Sequence, residues 1–533
     1  MALIAVDMTP VFPDGRNGGA KIFALELLKS LREMGSEDRF LILTASWNHQ
    51  ELSVLDSANM ARLCVLKQPN VSPMRLGSRL NSRWLRKLKK IYVFFRCHFP
   101  YRFSDRLKLS SLGVDLLFCP FTAPTYAQSG IPVVSVIYDL QHLAYPSFFN
   151  SDEISIRQRF LDDVKSKTDH IVCISEAVRQ SVYDNFDVDP HKTHVVPISI
   201  HSRLPKLETQ RLETELDALG IGQNPYMFYP ANFWHHKNHR MLLTALGMYL
   251  SQNTKSKIEL VFTGTILDKE RDLRDAVSRM GLGDKVHFLG YLETNQLAAV
   301  WQGCEFLIFP SLYEGFGIPL LEAMYYGKPI LCSNVTSIPE IAQDAALYFD
   351  PRDPREIANC LEKISDNPVL RDDLVHRGYH RVSAFDPVDM TREYVEIFDS
   401  AKKEPRPFKN GVTGLFPDNW IGEETIITYR SGEKNRYLEM FIEAPGFLPS
   451  TTINVELKNS NGICQNWKIQ RGDKLAIRHV LPEHEGTLVL LTKPTFRPSD
   501  CQISEDNRRL GLICQSICLV SPSQGKEDLI RKR

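Results

Sequence analysis

The sequence has no excess charge of either sign: 64 Lys and Arg balance 64 Asp and Glu over 533 residues. A balanced chain lacks the global electrostatic footprint of a nucleic-acid binder. Zinc-type cysteine spacing is also missing, because the 11 cysteines are scattered, mostly within apolar runs, as reduced core thiols are. Cys514 and Cys518 lie four apart in an expected strand and share one face, so both read as core. No uninterrupted apolar stretch reaches the length of a membrane span. The amino terminus runs directly into Leu3-Ile4-Ala5-Val6, with no basic segment or cleavage site ahead of it. Together these absences imply a cytoplasmic protein, with any membrane contact peripheral, on the inner face of the cytoplasmic membrane.

What is present is a composition of 43% hydrophobic and 24% charged residues, in a chain long enough for three or four domains. Short apolar runs alternate with helical patterns over residues 1–205, as in a parallel α/β sheet. Strands are expected at Leu3–Asp7, Phe40–Thr44, Asp115–Cys119, Val133–Ile137, His170–Ser175 and His194–Val196. The first is followed by Gly18-Gly19 and a helix with Phe23, Leu27, Leu28 and Leu31 on one face. The stretch Leu204 to Gly222 shows Pro and charge without a strand and reads as a connection. A second α/β domain, 206–387, has expected strands at Met227–Pro230, Glu259–Thr263, Val286–Leu289, Glu305–Phe309, Ile330–Cys332 and Leu347–Phe349. From 408 to 522 the pattern changes to short alternating runs such as Glu424–Tyr429, Tyr437–Glu443, Thr452–Leu457 and Thr487–Leu491, an all-β sandwich signature. The charged tail after Ser523 reads as unstructured.

The most informative stretch is Phe309-Pro310-Ser311-Leu312-Tyr313-Glu314-Gly315-Phe316-Gly317-Ile318-Pro319-Leu320-Leu321-Glu322-Ala323. A buried strand, a glycine loop and a helix beginning near Pro319 follow one another here. Bare amides at a helix N-terminus suit a phosphate or diphosphate. Glu314 and Glu322, eight positions apart, flank that ligand. Carboxylates repel phosphate, so they suit sugar hydroxyls instead, and a sugar nucleotide needs all three features.

This segment resembles the E-x7-E signature of retaining glycosyltransferases of family 4, which have the GT-B fold. The flanking runs Val286-His287-Phe288-Leu289-Gly290-Tyr291, Ile338-Pro339-Glu340 and Ala345-Ala346-Leu347-Tyr348-Phe349 are similar in style. The resemblance covers about the first 400 residues and implies two Rossmann-like domains facing a cleft, with a crossing helix at 388–402 returning to the first. It implies Glu314 on the donor sugar, Glu322 on the ribose, and Gly315, Phe316 and Gly317 with Lys237 on the diphosphate. Lys237-Asn238 matches the family's Lys-Asn pair, whereas the Arg expected several residues earlier is replaced around Ala231-Asn232. Gly264 matches a glycine where the backbone approaches the nucleotide, and Gly18-Gly19 the N-terminal glycine loop. Tyr138 stands where members carry a His facing the sugar. Asp139 and His142 then line the acceptor side and help deprotonate the acceptor, or else cap a helix and pack in the core. Ser175 reads as a helix cap.

The resemblance implies a metal-independent transfer with no cofactor, a mannosyltransferase-like style at 229–239, and GDP-mannose favoured over a UDP-sugar. Asp187-Val188-Asp189 has the D-x-D form of metal-binding transferases, but sits in a polar loop before Pro190 and reads as a turn. The partners implied are a nucleotide sugar and a polysaccharide or lipid-linked glycan, with no nucleic acid. Eleven Lys or Arg and no acid occupy Ser57 to Ser104, interleaved with aromatics. This segment, centred on 75–107, touches an anionic bilayer, wraps a polyanionic acceptor, or forms a solvated helix. Alternatives on the same fold are a glycogen-synthase-like or sucrose-forming transferase, an epimerase, or a non-catalytic glycan-binding protein. The β-sandwich binds carbohydrate, docks a partner or only buttresses the rest; Trp420, Trp467 and the Asp506-Asn507-Arg508 turn are its candidate contacts.

Overall fold

Strands buried on both faces read as continuous apolar runs, and two parallel sheets are built from such runs here. The computed structural model describes residues 2–13, 17–35, 37–66, 109–128, 130–264, 268–403, 411–415, 419–430, 434–459, 462–483, 486–496, 510–523 and 525–529. The chain divides into two compact units, Met1–Pro405 and Arg406–Arg533.

In the first unit, one sheet comprises β1 (Leu3–Asp7), β2 (Arg39–Ala45), β3 (Met60–Leu66), β4 (Leu116–Cys119), β5 (Val133–Ile137), β6 (His170–Cys173) and β7 (Thr193–Val195). Its order is β3-β2-β1-β4-β5-β6-β7. All its pairings are parallel. A second sheet comprises β8 (Tyr226–Pro230), β9 (Glu259–Thr263), β10 (Val286–Phe288), β11 (Phe306–Phe309), β12 (Ile330–Ser333) and β13 (Ala346–Phe349), in the order β10-β9-β8-β11-β12-β13. Each order reverses beside its first strand, between β1 and β4 and between β8 and β11. Open α/β sheets hold ligands outside the carboxyl ends of the strands at such reversals.

The helix Pro387–Lys403 returns to the first sheet. Its Tyr394 and Phe398 rings lie 5.7 and 5.0 Å from that of Phe118, and Lys402 Nζ stands 2.6 Å from Asp38 Oδ2. The second unit is antiparallel throughout. Strands β14 (Gly411–Leu415), β15 (Trp420–Tyr429), β16 (Tyr437–Glu443), β17 (Thr452–Asn459), β18 (Gly462–Gln470), β19 (Lys474–Val480), β20 (Gly486–Lys493), β21 (Leu512–Ser521) and β22 (Gly525–Asp528) form it. β15 pairs β20 through Glu424–Tyr429 but β21 through Trp420 and Ile421. The two halves of this nine-stranded sheet are thus joined through one strand. Ile427, Val455 and Leu488 from one half and Leu438, Met440 and Ile517 from the other share a single core. Cys514 and Cys518 are both buried, but a bulge between them breaks the alternation: Cys514 joins the core with Ile517 and Leu519, and Cys518 does not share that face.

Three expectations are corrected. Met60–Leu66, read as the start of the basic segment, is the edge strand β3, because pairing with β2 outweighs its single Arg. The rest of that segment, including 75–107, lies outside the described residues. Within the connection 204–222 a helix forms at Thr209–Leu219. Within the tail beyond Ser523, residues 525–528 form a strand: β22 pairs with β21, and Lys526 Nζ lies 2.6 Å from Glu439 Oε2.

Asp7 ends β1 with 1% exposure. Its Oδ1 accepts from the Thr9 amide at 3.0 Å and the Thr9 hydroxyl at 2.6 Å. Burial pushes its carboxyl up to about 6, against these hydrogen bonds. The native state therefore holds this proton more tightly than the unfolded chain does. Its stabilising contribution is complete below the ordinary carboxylate range and is lost as pH rises through 6. Between pH 5 and 7.5 the chain should lose roughly 1.4 kcal/mol from this group. Urea unfolding of Asp7→Asn at both pH values should show that part of the slope removed.

Candidate functional site

The loops after β8 and β11 meet at the reversal of the second sheet. Tyr229 ties them together: its hydroxyl donates to the Lys237 carbonyl at 2.8 Å and lies 3.1 Å from Ser311 Oγ. Asn238, in the left-handed region at φ 60°, donates its amide to the carbonyls of Pro310 at 3.1 Å and Pro351 at 2.8 Å. These bonds orient Lys237, whose Nζ stands 2.5 Å from Glu314 Oε1. Both side chains are mostly buried, at 14% and 11% exposure, so the pair interacts in a low-dielectric setting. Among the described residues, Glu314 Oε2 has no hydrogen-bonding protein partner.

The glycine loop that follows has its backbone fixed by side chains. Ser337 Oγ donates to the carbonyls of Glu314 at 3.0 Å and Phe316 at 3.2 Å, and the Glu314 amide donates to Thr336 Oγ1 at 3.1 Å. Gly317 precedes the helix Ile318–Tyr325 at φ 96°, and Pro319 falls in its first turn. Pro319 carries no N–H and the Leu320 amide donates to the Gly317 carbonyl at 2.9 Å, so the glycine-loop amides and that of Ile318 are the ones left at the positive end of the dipole, a setting for anions.

The first half of the unit closes over this loop. A Cβ on Gly315 would stand 1.8 Å from the Tyr138 carbonyl oxygen, and Ser175 Oγ donates to the Gly315 carbonyl at 2.7 Å. Gly19 lies against Ile318, with a Cβ there 2.9 Å from its Cδ1; a Cβ on Gly18 (φ 54°) would lie 3.7 Å from the Trp234 ring. The glycine turn after β1 and the donor-type loop after β11 are therefore neighbours across one cleft. The segment after β5 also reaches across: Tyr145 accepts from Arg352 Nη2 at 2.8 Å, and its ring centroid lies 6.3 Å from that of Tyr313.

His142 is 2% exposed, and neither ring nitrogen has a hydrogen-bond partner. Burial, then the Arg157 charge, lowers its pKa, against the pull of Asp139. The neutral ring is favoured and packed away from water, the core-packing alternative for His142. Asp139 Oδ1 accepts from the Gln141 amide at 3.1 Å and stands 3.7 Å from Arg157 Nη1. This is the turn-capping alternative for Asp139.

Several expectations change. Glu322, expected on a ribose, is 4% exposed at its side chain, pairs through Oε1 with Arg203, and accepts from Trp301 Nε1 at 3.1 Å through Oε2. Both oxygens are engaged inside the protein, which ties the helix Ile318–Tyr325 to Arg203 and Trp301. Asn238 likewise shapes the loop instead of touching a donor. At Gly264 (φ 146°), a Cβ would lie 2.6 Å from the Ala231 carbonyl, so the glycine answers backbone crowding between loops rather than a nucleotide. Tyr138 turns its ring edge-on to Phe23 and donates to the Pro120 carbonyl at 2.7 Å. Asp189 accepts from the His191 amide at 2.9 Å, the turn role read for it. Ser175 caps its helix by accepting from the Val178 amide at 3.2 Å. Trp420 and Trp467 are half-buried against the β core, and the 506–508 turn lies outside the described residues. Sequence reasoning missed Arg203, Trp301, Thr336 and Ser337, none of which carries a spacing signal that marks it.

Two nucleotide-type sheets with their reversals facing one cleft define the GT-B class. The chain matches the family models described as Glycosyltransferase Family 4, over residues 17–202, and Glycosyl transferases group 1, over residues 213–381. It belongs to the family 4 glycosyltransferases. O-antigen chain mannosyltransferase B of Escherichia coli is 26% identical over 50% of this chain and 69% of that protein. The O-antigen chain mannosyltransferase RfbU of Salmonella typhimurium is 26% identical over 47% and 64%, and the MMP alpha-(1->4)-mannosyltransferase of Mycolicibacterium hassiacum 26% over 43% and 54%. The matches thus span from about half to two thirds of the relatives. Among solved structures, Anabaena Alr3699/HepE in complex with UDP and glucose superimposes with a TM-score of 0.55 at 16% identity, covering 75% of this chain and 100% of that one. The sucrose-phosphate synthase of Thermosynechococcus elongatus gives 0.56 at 17%, covering 75% and 99%. These likenesses are of fold. Among the described residues, no helix is long and apolar enough to cross a membrane.

Because Gly264 combines a left-handed φ with backbone contact, Gly264→Ala should lower the unfolding free energy by about 3 kcal/mol. Chemical unfolding against the parent chain measures this.

Proposed function

We propose that the protein is a retaining, metal-independent hexosyltransferase that takes mannose from GDP-mannose and gives it to a polysaccharide or lipid-linked glycan. The observation that carries this reading is the Lys237–Glu314 pair beside the Gly315–Gly317 loop, at the reversal of the second sheet. Lys237 and the backbone amides of the Gly315–Gly317 loop neutralise the departing diphosphate. Glu314 accepts a hydrogen bond from a hydroxyl of the sugar and favours the positive charge that grows on its ring. Such groups act by being fixed before charge develops, and Tyr229, Asn238 and Ser337 supply that fixing.

On the first half, Asp139 stands beside Arg157 and lines the acceptor side, while His142 packs beneath it. In the family-like retaining course, the leaving diphosphate takes the acceptor's proton on the face it departs from. The names of the relatives favour mannose as the sugar, and O-antigen chains among their products favour an envelope glycan as acceptor. The chemistry sits on the inner side of the cytoplasmic membrane, where nucleotide sugars are available.

A thermal-shift panel of GDP-mannose, UDP-glucose and ADP-glucose should show the largest stabilisation with GDP-mannose. Release of GDP from GDP-mannose with glycan acceptor should fall about 100-fold or more in Glu314→Ala and Lys237→Met. Stabilisation by none of the three donors at millimolar concentration would refute the reading.

A further inference from the structure

The five-residue helix Ile338–Ala342 joins three parts of the first unit. Ser337, just before it, holds the donor-side loop through the Glu314 and Phe316 carbonyls. From within it, Glu340 reaches the other half: its Oε1 accepts from the Glu176 amide at 2.8 Å and its Oε2 from the Ala177 amide at 2.9 Å. Those amides open the ten-residue helix Glu176–Asn185, where a carboxylate is favoured by both the dipole and the unsatisfied donors. The far end is fixed as well. Arg381 donates to the carbonyls of Glu340 at 3.0 Å and Ile341 at 2.9 Å. Phe385, four residues on and just before the return helix, meets the Phe316 ring edge-on at 6.1 Å.

We infer that Glu340 is a positioning residue that sets the closed geometry of the cleft. It locks the acceptor half onto the donor-side loop without touching either substrate. Two parallel charge-assisted bonds to backbone give the contact one orientation. Ser175, the residue before that helix, donates to Gly315, so seating Glu340 also seats the glycine loop against Tyr138. Donor binding needs only the second half. Transfer needs both halves in register, and a misplacement of about 1 Å can lower the rate about 100-fold.

This inference rests on the transfer reaction proposed above, so its test has one arm that does not use activity. Small-angle scattering of the full chain, alone and with GDP, should give a larger radius of gyration for Glu340→Ala than for the parent. Glu340→Gln keeps one carbonyl acceptor and should stay close to the parent. In transfer assays Glu340→Ala should lose about 10–100-fold in kcat, with the Kd for GDP within twofold of the parent. Glu340→Gln should recover most of that loss. Scattering and kcat of Glu340→Ala both equal to the parent's would overturn the proposal. So would a loss of GDP affinity matching the loss in kcat, which marks damage to the second half alone. Should the parent itself transfer no sugar, the functional reading fails while the scattering arm still decides the closure.

Discussion

At Gly315 two backbones meet where no side chain fits. The carbonyl of Tyr138 occupies the place a Cβ would take, and Ser175 Oγ donates to the carbonyl of Gly315 itself. Everything distinctive about the cleft follows from this approach. It brings the carboxyl edge of the first sheet onto the loop after β11, and so sets the glycine turn at 18–19 opposite Ile318. A glycine is required by space, and the space is set by two separate sheets. The two reversals of strand order then face each other rather than open solvent.

Around that contact, charge is handled by pairing. Lys237 with Glu314 and Arg203 with Glu322 are both largely removed from water. Isolated, each of these ions would carry a desolvation penalty of several kcal/mol, so each pair is a constraint on geometry more than a source of stability. The two pairs differ in what else they touch. Glu322 is fully engaged by Arg203 and the Trp301 indole, and serves the helix. Glu314 has one oxygen on Lys237, which the loop shaped by Tyr229 and Asn238 holds, and its other oxygen has no hydrogen-bonding protein partner among the described residues. One acid of the two-glutamate pattern is fully engaged within the protein, and the other is not.

Much of the fold was legible in the sequence, because both sheets consist of apolar runs whose burial on two faces leaves no alternation to misread. Leu3–Asp7, Val133–Ile137 and Glu259–Thr263 have the same bounds as read from the residues. The strand Met60–Leu66 was hidden because it is an edge strand, with one Arg and polar neighbours, stabilised by pairing with β2 rather than by its own pattern. The last strand, Gly525–Asp528, is wholly exposed and charged; only its ladder to β21 makes it a strand.

By itself, the sequence determined the two nucleotide-type sheets, the all-β region and the glycine loop at a helix N-terminus. These depend on local pattern: apolar runs, turn residues, and a glycine before a helix. Tertiary structure alone decided which polar groups face one another. It turned Glu322 to Arg203, gave Asn238 and Gly264 to loop packing, buried His142 without partners, and seated Glu340 on a helix 164 positions earlier in the chain. The reason is physical. Hydrophobic periodicity reports which face of an element is buried, whereas a hydrogen bond depends on the positions of two atoms to a few tenths of an ångström.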